Sequence, residues 1–309
     1  MENTALLFAG QGAQFVGMGR DLTEAHPTAE ALVGQADQAL GYNLSKICFN
    51  GPEKELVRTE NAQPGIHLVG WIAFQLLKEF APDLSFGAAA GLSLGEFTAL
   101  AAADAISFED SLKVVRRRGQ LMQHACEATS GGMAAIIGLD EQRARDVCGK
   151  TNVQIANLNC PGQIVVSGGK DCIEDACEAA RESGAKRAIP LNVTGAYHSP
   201  LMAPAQPGLS EALSGIRIHR PGAQVISNVT AESHGSPEDI ARLLVDQVTS
   251  PVLWERCIRR LIADGFTRFI ELGPGTTLTS FMRRIDRSME VHNISDTASL
   301  AKTLEMLKA

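Results

Sequence analysis

A serine flanked by glycines, Gly91-Leu92-Ser93-Leu94-Gly95, is the first feature of this chain that could do chemistry. It follows a small-residue run, Phe86 to Ala90, and precedes a helical pattern from Glu96 to Ala103. On a strand-to-helix turn such a serine is held in a strained conformation that exposes its Oγ. The following helix aims N-terminal N–H groups at any oxyanion formed there. The chemistry would be acyl transfer or hydrolysis through a serine ester. Glycine and serine are common residues, so G-x-S-x-G arises by chance in roughly one chain in ten of this length. The motif alone leaves a plain structural turn open.

A serine nucleophile needs a base. Of the seven histidines, His26 precedes a proline in a polar loop, and His67 and His124 sit within helical patterns. His219, His234 and His292 lie in polar, charged stretches. His198 follows Gly195-Ala196-Tyr197, where the texture of the chain changes and a domain junction is expected. Clefts between domains are where ligand sites concentrate. A base for Ser93 and a hydrogen-bonded junction histidine are both open readings of His198. Three arginines, Arg116-Arg117-Arg118, follow on the next helical segment. Consecutive helical residues point in different directions, so the three cannot share one face. Arg118 precedes Gly119, Leu121 and Met122. It is either part of a solvated basic face or turned inward, where a guanidinium holds a carboxylate with two hydrogen bonds.

The elements that must position these groups follow from pattern. A short apolar strand, Ala5 to Phe8, runs into Gly10-Gln11-Gly12-Ala13-Gln14, a tight turn with exposed backbone N–H groups. It is not a dinucleotide fingerprint, because Phe15 stands where G-x-G-x-x-G needs glycine. A helix is predicted from Phe108 to Cys126, with Ser107 as N-cap and Asp110 as its approximate capping-box partner. After Gly131-Gly132, strands are predicted at Met133–Gly138, Val153–Leu158, Ile164–Val166 and Arg187–Val193, with helices at Glu141–Cys148 and Asp171–Glu182. That order, β-α-β-β-α-β, is the ferredoxin-like unit. It reads as a small domain, 129–197, inserted into a core made of 1–128 and 198–309. Val225–Ser227 and Arg268–Leu272 are further candidate parallel strands. The fold class is α/β, a parallel sheet with helices on both faces.

Composition narrows the function classes. The 309 residues are 45% hydrophobic and 20% charged, with mean hydropathy near zero. This excludes a largely disordered chain. A net charge of −7 and a pI of about 5.6 argue against a general nucleic-acid binder, and 5% aromatic residues argue against a base-stacking platform. The seven cysteines form no C-x-x-C pair and have no H-x3-5-H partner, so free buried thiols in a reducing cytoplasm are the expectation. The N-terminal MENTALLFAG lacks the basic region of a signal peptide. The most apolar window, Gly65 to Leu77, is too short to span a bilayer and reads as a buried helix.

Taken together, the chain resembles the malonyl-CoA:acyl carrier protein transacylases of bacterial fatty-acid synthesis and the related acyltransferase domains of polyketide synthases. The motifs that carry the resemblance are Gly10-Gln11-Gly12-Ala13-Gln14, Gly91-Leu92-Ser93-Leu94-Gly95-Glu96, Arg118-Gly119-Gln120-Leu121-Met122-Gln123 and Tyr197-His198-Ser199-Pro200-Leu201-Met202. Asn228, Gln247 with Pro251 and Trp254, and Glu271-Leu272-Gly273-Pro274-Gly275 complete the set. They occur in the family's order and span nearly the whole chain.

The resemblance implies an α/β-hydrolase-like core carrying a ferredoxin-like small domain. It implies a Ser-His dyad, with Ser93 as acylated nucleophile and His198 as base, and with Gln247 or the backbone around it holding the imidazole. The oxyanion donors would be the backbone N–H groups of Gln11 and Leu94. Arg118 would pair with the free carboxylate of malonyl, and Met122, Tyr197 and Asn228 would complete the substrate-binding set. Malonyl-CoA and acyl carrier protein are the implied partners, with no metal or redox cofactor, no nucleic acid and no membrane. The implied enzyme is a cytoplasmic monomer. Two positions depart from the family pattern. Leu92 replaces the usual histidine before the nucleophile, and Tyr197 stands where malonyl-selective relatives often carry phenylalanine.

A serine thioesterase or esterase on a similar core is the first rival, but it would want an acidic triad member, and no acidic residue is marked for that role. An acyltransferase of a polyketide pathway with different acyl selectivity is another. A non-catalytic carrier-binding subunit would show a broken dyad, and Ser93 and His198 are both present. Acyl carrier proteins are acidic and this chain is too, so docking requires a local basic patch. The candidates are Lys186-Arg187 and Arg283-Arg284 with Arg287, which the resemblance sets on either side of the cleft mouth.

Overall fold

The computed structural model describes residues 3–193 and 195–308. A sheet of parallel strands forms the centre: β1 (Thr4–Phe8), β2 (Ala88–Gly91), and, later in the chain, Gln224–Val225, Arg268–Leu272 and Glu290–Ile294. Between β2 and these last three the chain makes a second, antiparallel sheet from β3 (Gly131–Ile137), β4 (Gln154–Cys160), β5 (Gln163–Gly169) and β6 (Arg187–Pro190). Naming the last three β7, β8 and β9, the strand orders are β7-β2-β1-β8-β9 and β4-β5-β3-β6.

The parallel sheet separates two cores because side chains alternate along a strand. Leu6 and Phe8 of β1 and Ala89 of β2 face one core, which they share with the helices Pro27–Leu40, Thr59–Phe80, Gly95–Ala102 and Phe108–Ala128. Ala5, Leu7, Ala88 and Ala90 face the other, packed against the helices Trp254–Ala263 and Thr277–Ile285. Every residue of β1 and β2 is buried, as strands covered on both faces must be.

The antiparallel sheet uses the same alternation. Ala134 of β3 and Val166 of β5 face the helices Glu141–Thr151 and Lys170–Glu182, while their neighbours Met133 and Val165 pack toward the main core. β4 is tied to the core by Val252, just before the helix Trp254–Ala263: the Leu158 N–H donates to Val252 O and the Val252 N–H to Ala156 O. Among the described residues, no helix is long and apolar enough to cross a membrane.

The expected α/β architecture with a second ferredoxin-like sheet is the one observed, and its differences from the sequence reading are local. The last antiparallel strand stops at Pro190 rather than Val193, and Leu191 to Val193 line a cavity instead. One further backbone bond follows, from the Leu191 N–H to Met133 O, before the chain leaves the sheet. The strand expected at Val225–Ser227 is only Gln224–Val225, because the Ser227 N–H turns to Glu232 O and the Asn228 N–H to the Glu96 carboxylate. The edge strand β9 carries the mixed sequence EVHNI and has no apolar signature of its own. Ser107 does cap its helix, accepting from the Asp110 N–H, but its hydroxyl donates to the Asp110 carboxylate in place of the reciprocal half of a capping box.

Candidate active site

Chain crowding explains the glycines around Ser93. A Cβ on Gly91 would lie 1.9 Å from the Gly95 carbonyl carbon, and one on Gly95 would lie 2.3 Å from Phe8 O. No side chain fits at either position. Ser93 sits between them at φ 54°, in the left-handed region. For a residue with a Cβ that conformation costs about 1–2 kcal/mol. Long-range hydrogen bonds hold it there. The Ser93 N–H donates to Asn228 Oδ1 at 2.6 Å, Asn228 Nδ2 donates to Gly91 O at 2.9 Å, and Gln247 Nε2 donates to Ser93 O at 3.1 Å.

The structure brings His198 to this serine from 105 residues away. Its Nε2 is 2.9 Å from Ser93 Oγ. Its Nδ1 is 2.9 Å from the backbone O of Gln247. A carbonyl only accepts, so the proton sits on Nδ1 and Nε2 is free to accept from Ser93. Burial, and then the positive charge of Arg118, pull the His198 pKa down to about 4. The imidazole is therefore neutral at neutral pH, as a base must be. His198 is also held at φ 57°.

Arg118 faces inward because its helix comes close to the helix Thr59–Phe80. A Cβ on the next residue, Gly119, would lie 2.7 Å from Thr59 O. The three consecutive arginines occupy three environments. Arg116 donates to Leu40 O and stacks over Tyr42, Arg117 is exposed, and Arg118 is 1% exposed. Arg118 Nη1 donates to Gln63 Oε1 at 2.8 Å, and Nη2 to Gln247 Oε1 at 2.9 Å and Ser93 Oγ at 3.0 Å. Among the described residues no carboxylate lies within ion-pair distance of it, and its Nε is buried without a partner. Burial lowers its pKa to about 10, which leaves it charged at neutral pH. A buried guanidinium thus lies beside the serine and its base, balanced by amide oxygens and no carboxylate in direct contact among the described residues.

Ser93 and His198 open onto a cavity of about 460 Å³ between the two sheets. Its walls include the Gly10–Gln14 turn, Met122, Tyr197, Met133 and Val165 from the antiparallel sheet, and Phe281. The Gln11 and Leu94 backbone N–H groups have no hydrogen-bond partner among the described residues. Leu92 lines the cavity. The Tyr197 hydroxyl is 2.6 Å from Thr59 Oγ1, which ties it to a helix.

Asn228 differs from its expected role. Its amide is committed to the Ser93 N–H and Gly91 O, and neither it nor Arg118 is among the residues that line the cavity. Gln247 likewise holds His198 through its backbone, while its side chain ties together Ser93 O, Glu96 and Arg118.

Three polar residues at the site were given no role from the sequence. Gln63 receives Arg118 from a helix that otherwise reads as apolar. Glu96 and His234 form a fully buried pair, His234 Nε2 lying 2.7 Å from Glu96 Oε1. Glu96 directly follows the serine turn, which was its one sequence signal; nothing in the polar stretch around His234 marked that residue.

The two basic segments converge. Arg284 donates to Pro161 O and Gln163 Oε1, each at 2.8 Å. Lys186 packs against Gly138, whose N–H donates to Gly162 O. Lys186, Arg187, Arg283 and Arg284 are all exposed around this turn. The cavity-lining Leu191–Val193 and Thr277–Phe281 adjoin them in sequence.

Comparison with known proteins places this geometry among relatives. The acyl transferase domain family matches residues 5–305. The chain is 43% identical to the malonyl CoA-acyl carrier protein transacylase of Bacillus subtilis, over 100% of this chain and 98% of that one. It is 37% identical to the same-named protein of Haemophilus influenzae, over 99% and 100%. The crystal structure of an acyl-carrier-protein S-malonyltransferase from Bartonella henselae superposes with a TM-score of 0.95 at 37% identity, covering 99% and 100% of the chains. A type II PKS acyl-carrier protein in complex with its malonyl-transacylase gives a TM-score of 0.95 at 36% identity, covering 98% and 99%.

Proposed function

The chain belongs to the acyl transferase domain family, and from that premise we propose that it moves malonyl from malonyl-CoA to the phosphopantetheine thiol of acyl carrier protein through an ester on Ser93. In the first half-reaction, Ser93 Oγ attacks the thioester carbon while His198 Nε2 takes its proton. The oxyanion accepts from the Gln11 and Leu94 N–H groups. The C–S bond breaks, and His198 returns the proton to the departing thiolate. In the second, His198 takes the proton of the carrier thiol, the sulfur attacks the ester carbon, and the C–O bond breaks as Ser93 is reprotonated. Throughout, Arg118 pairs with the free malonyl carboxylate. The Gln247 carbonyl keeps the imidazole in the tautomer that accepts at Nε2.

The observation that carries this reading is the position of Arg118 Nη2, 3.0 Å from Ser93 Oγ in a site with no protein carboxylate in contact. An esterase of neutral acyl groups has no use for that charge. The carrier would dock on the basic surface around the turn at Pro161, with its arm entering the cavity. The reaction as written draws on no metal or redox cofactor, and all its groups come from one chain, which fits a monomer acting in the cytoplasm. The test is intact-protein mass after mixing with malonyl-, methylmalonyl- or acetyl-CoA. A malonyl adduct on Ser93, absent from Ser93→Ala, is expected. An adduct that forms at the wild-type rate in Ser93→Ala would end the mechanism.

A further inference from the structure

The reaction above leaves the buried carboxylate of Glu96 unused, and it lies at the centre of the network beneath the site. Glu96 is 0% exposed and accepts from three residues on two segments of chain, the turn after β7 and the end of the helix Pro237–Asp246. His234 Nε2 reaches its Oε1 at 2.7 Å, Gln247 Nε2 its Oε2 at 2.7 Å, and the Asn228 N–H the same Oε2 at 2.9 Å. It is not a third triad member, since His198 Nδ1 goes to the Gln247 carbonyl. An ionised carboxylate this deep needs compensating donors and charge. The cation is Arg118, one amide away: Gln247 donates from Nε2 to Glu96 and accepts at Oε1 from Arg118 Nη2. Because a carboxylate only accepts, Glu96 dictates which end of that amide meets the guanidinium. Its charge also acts on Arg118 directly, strengthening the hold of the guanidinium on its proton.

We propose that Glu96 is a positioning residue for acyl selection. It orients the Gln247 amide so that Arg118 is seated beside Ser93, and its charge partly balances the guanidinium. An acyl carboxylate is then held firmly enough to be chosen and loosely enough to be passed on. The proposal rests on the roles of Ser93 and Arg118 given above, and it adds a determinant of how strongly the distal carboxylate is bound.

Two variants separate charge from position. Glu96→Gln keeps the acceptor toward Gln247 and Asn228 and turns its NH2 toward His234. Among the described residues the Nδ1 of His234 has no partner, so the ring can carry its proton there and accept at Nε2. The shape survives and the charge is lost. The malonyl-CoA KM for acylation should fall about fivefold, and malonyl transfer from Ser93 to the carrier thiol should slow by a similar factor. Both acetyl half-reactions should change by less than about twofold. Glu96→Asp keeps the charge and shortens the reach. It should slow both acyl groups together and leave the malonyl-to-acetyl ratio within about threefold of wild type. In an Arg118→Ala background, Glu96→Gln should no longer move the malonyl KM. Equal effects of Glu96→Gln on malonyl and acetyl, or an unchanged malonyl KM, would overturn the proposal. So would a change in the ratio in Glu96→Asp as large as that in Glu96→Gln, which decides the matter if thermal melts show that Glu96→Gln does not fold. Failure of the underlying reading looks different: wild-type protein would then form no malonyl ester on Ser93.

Discussion

Replacing Arg118 with alanine separates a substrate-binding guanidinium from a structural one. For malonyl, the variant loses a charge-assisted pair in a water-excluded site, worth about 3 kcal/mol in the transition state. At 1.36 kcal/mol per decade that is a loss of roughly 150-fold in kcat/KM. For acetyl, two smaller effects oppose each other. The hydrogen bond from Arg118 Nη2 to Ser93 Oγ is lost, but so is the positive charge that, after burial, holds down the basicity of His198. Acetyl transfer should therefore change by less than about tenfold in either direction. The malonyl-to-acetyl preference should collapse by at least about fifteenfold. Stability moves separately. Truncation strands the buried Oε1 atoms of Gln63 and Gln247, at about 1–3 kcal/mol each, but it also removes a buried guanidinium whose Nε is unpaired. A thermal melt measures that balance. The assay is rapid-quench intact mass with each acyl-CoA in turn, with the exposed Arg117→Ala as a control expected to behave as wild type. Equal losses for malonyl and acetyl would refute the carboxylate role and make Arg118 structural.

The His198 pKa of about 4 sets the acid limit of acylation. The neutral imidazole is the active form, so the rate should hold down to about pH 4 and fall below it; in Arg118→Ala the limit should move up toward 6.5, and a wild-type limit already at 6.5 would contradict the buried geometry. Reversing charge at Arg187 and Arg283 spares the contacts of Arg284 with Pro161 and Gln163. It should raise the carrier-protein KM and flatten its salt dependence, because exposed charges act over about 8–10 Å at physiological ionic strength. Formation of the acyl-enzyme from malonyl-CoA should be nearly unchanged, and an unaltered carrier half-reaction at low salt would place the docking surface elsewhere.

Much of this molecule is written in local pattern. The run of small residues into Gly91-Leu92-Ser93-Leu94-Gly95 already specifies a strand, a tight turn and a helix; the crowding at Gly91 is local, while that at Gly95 comes from Phe8 on β1. The antiparallel sheet is legible for the same reason: period-two alternation and the Pro161-Gly162 turn are local signals. Gly119 and the apolar residues beside Arg118 hinted that it turns inward, though not at what it meets there. What sequence could not decide is which distant groups meet. Ser93 and His198 come together across 105 residues, and Asn228 closes on Ser93 across 135. Asn228 was expected in the substrate-binding set, and its amide is spent holding the turn through Ser93 N–H and Gly91 O. Gln63, Glu96 and His234 gave little or no pattern of their own because polar residues in helices and loops usually face water. They are buried here only because several helices and the parallel sheet close over them. Once water is excluded, most polar atoms must find a protein partner. That requirement, met only in the assembled fold, joins Gln63, Glu96 and His234 to the serine, histidine and arginine that the sequence displays.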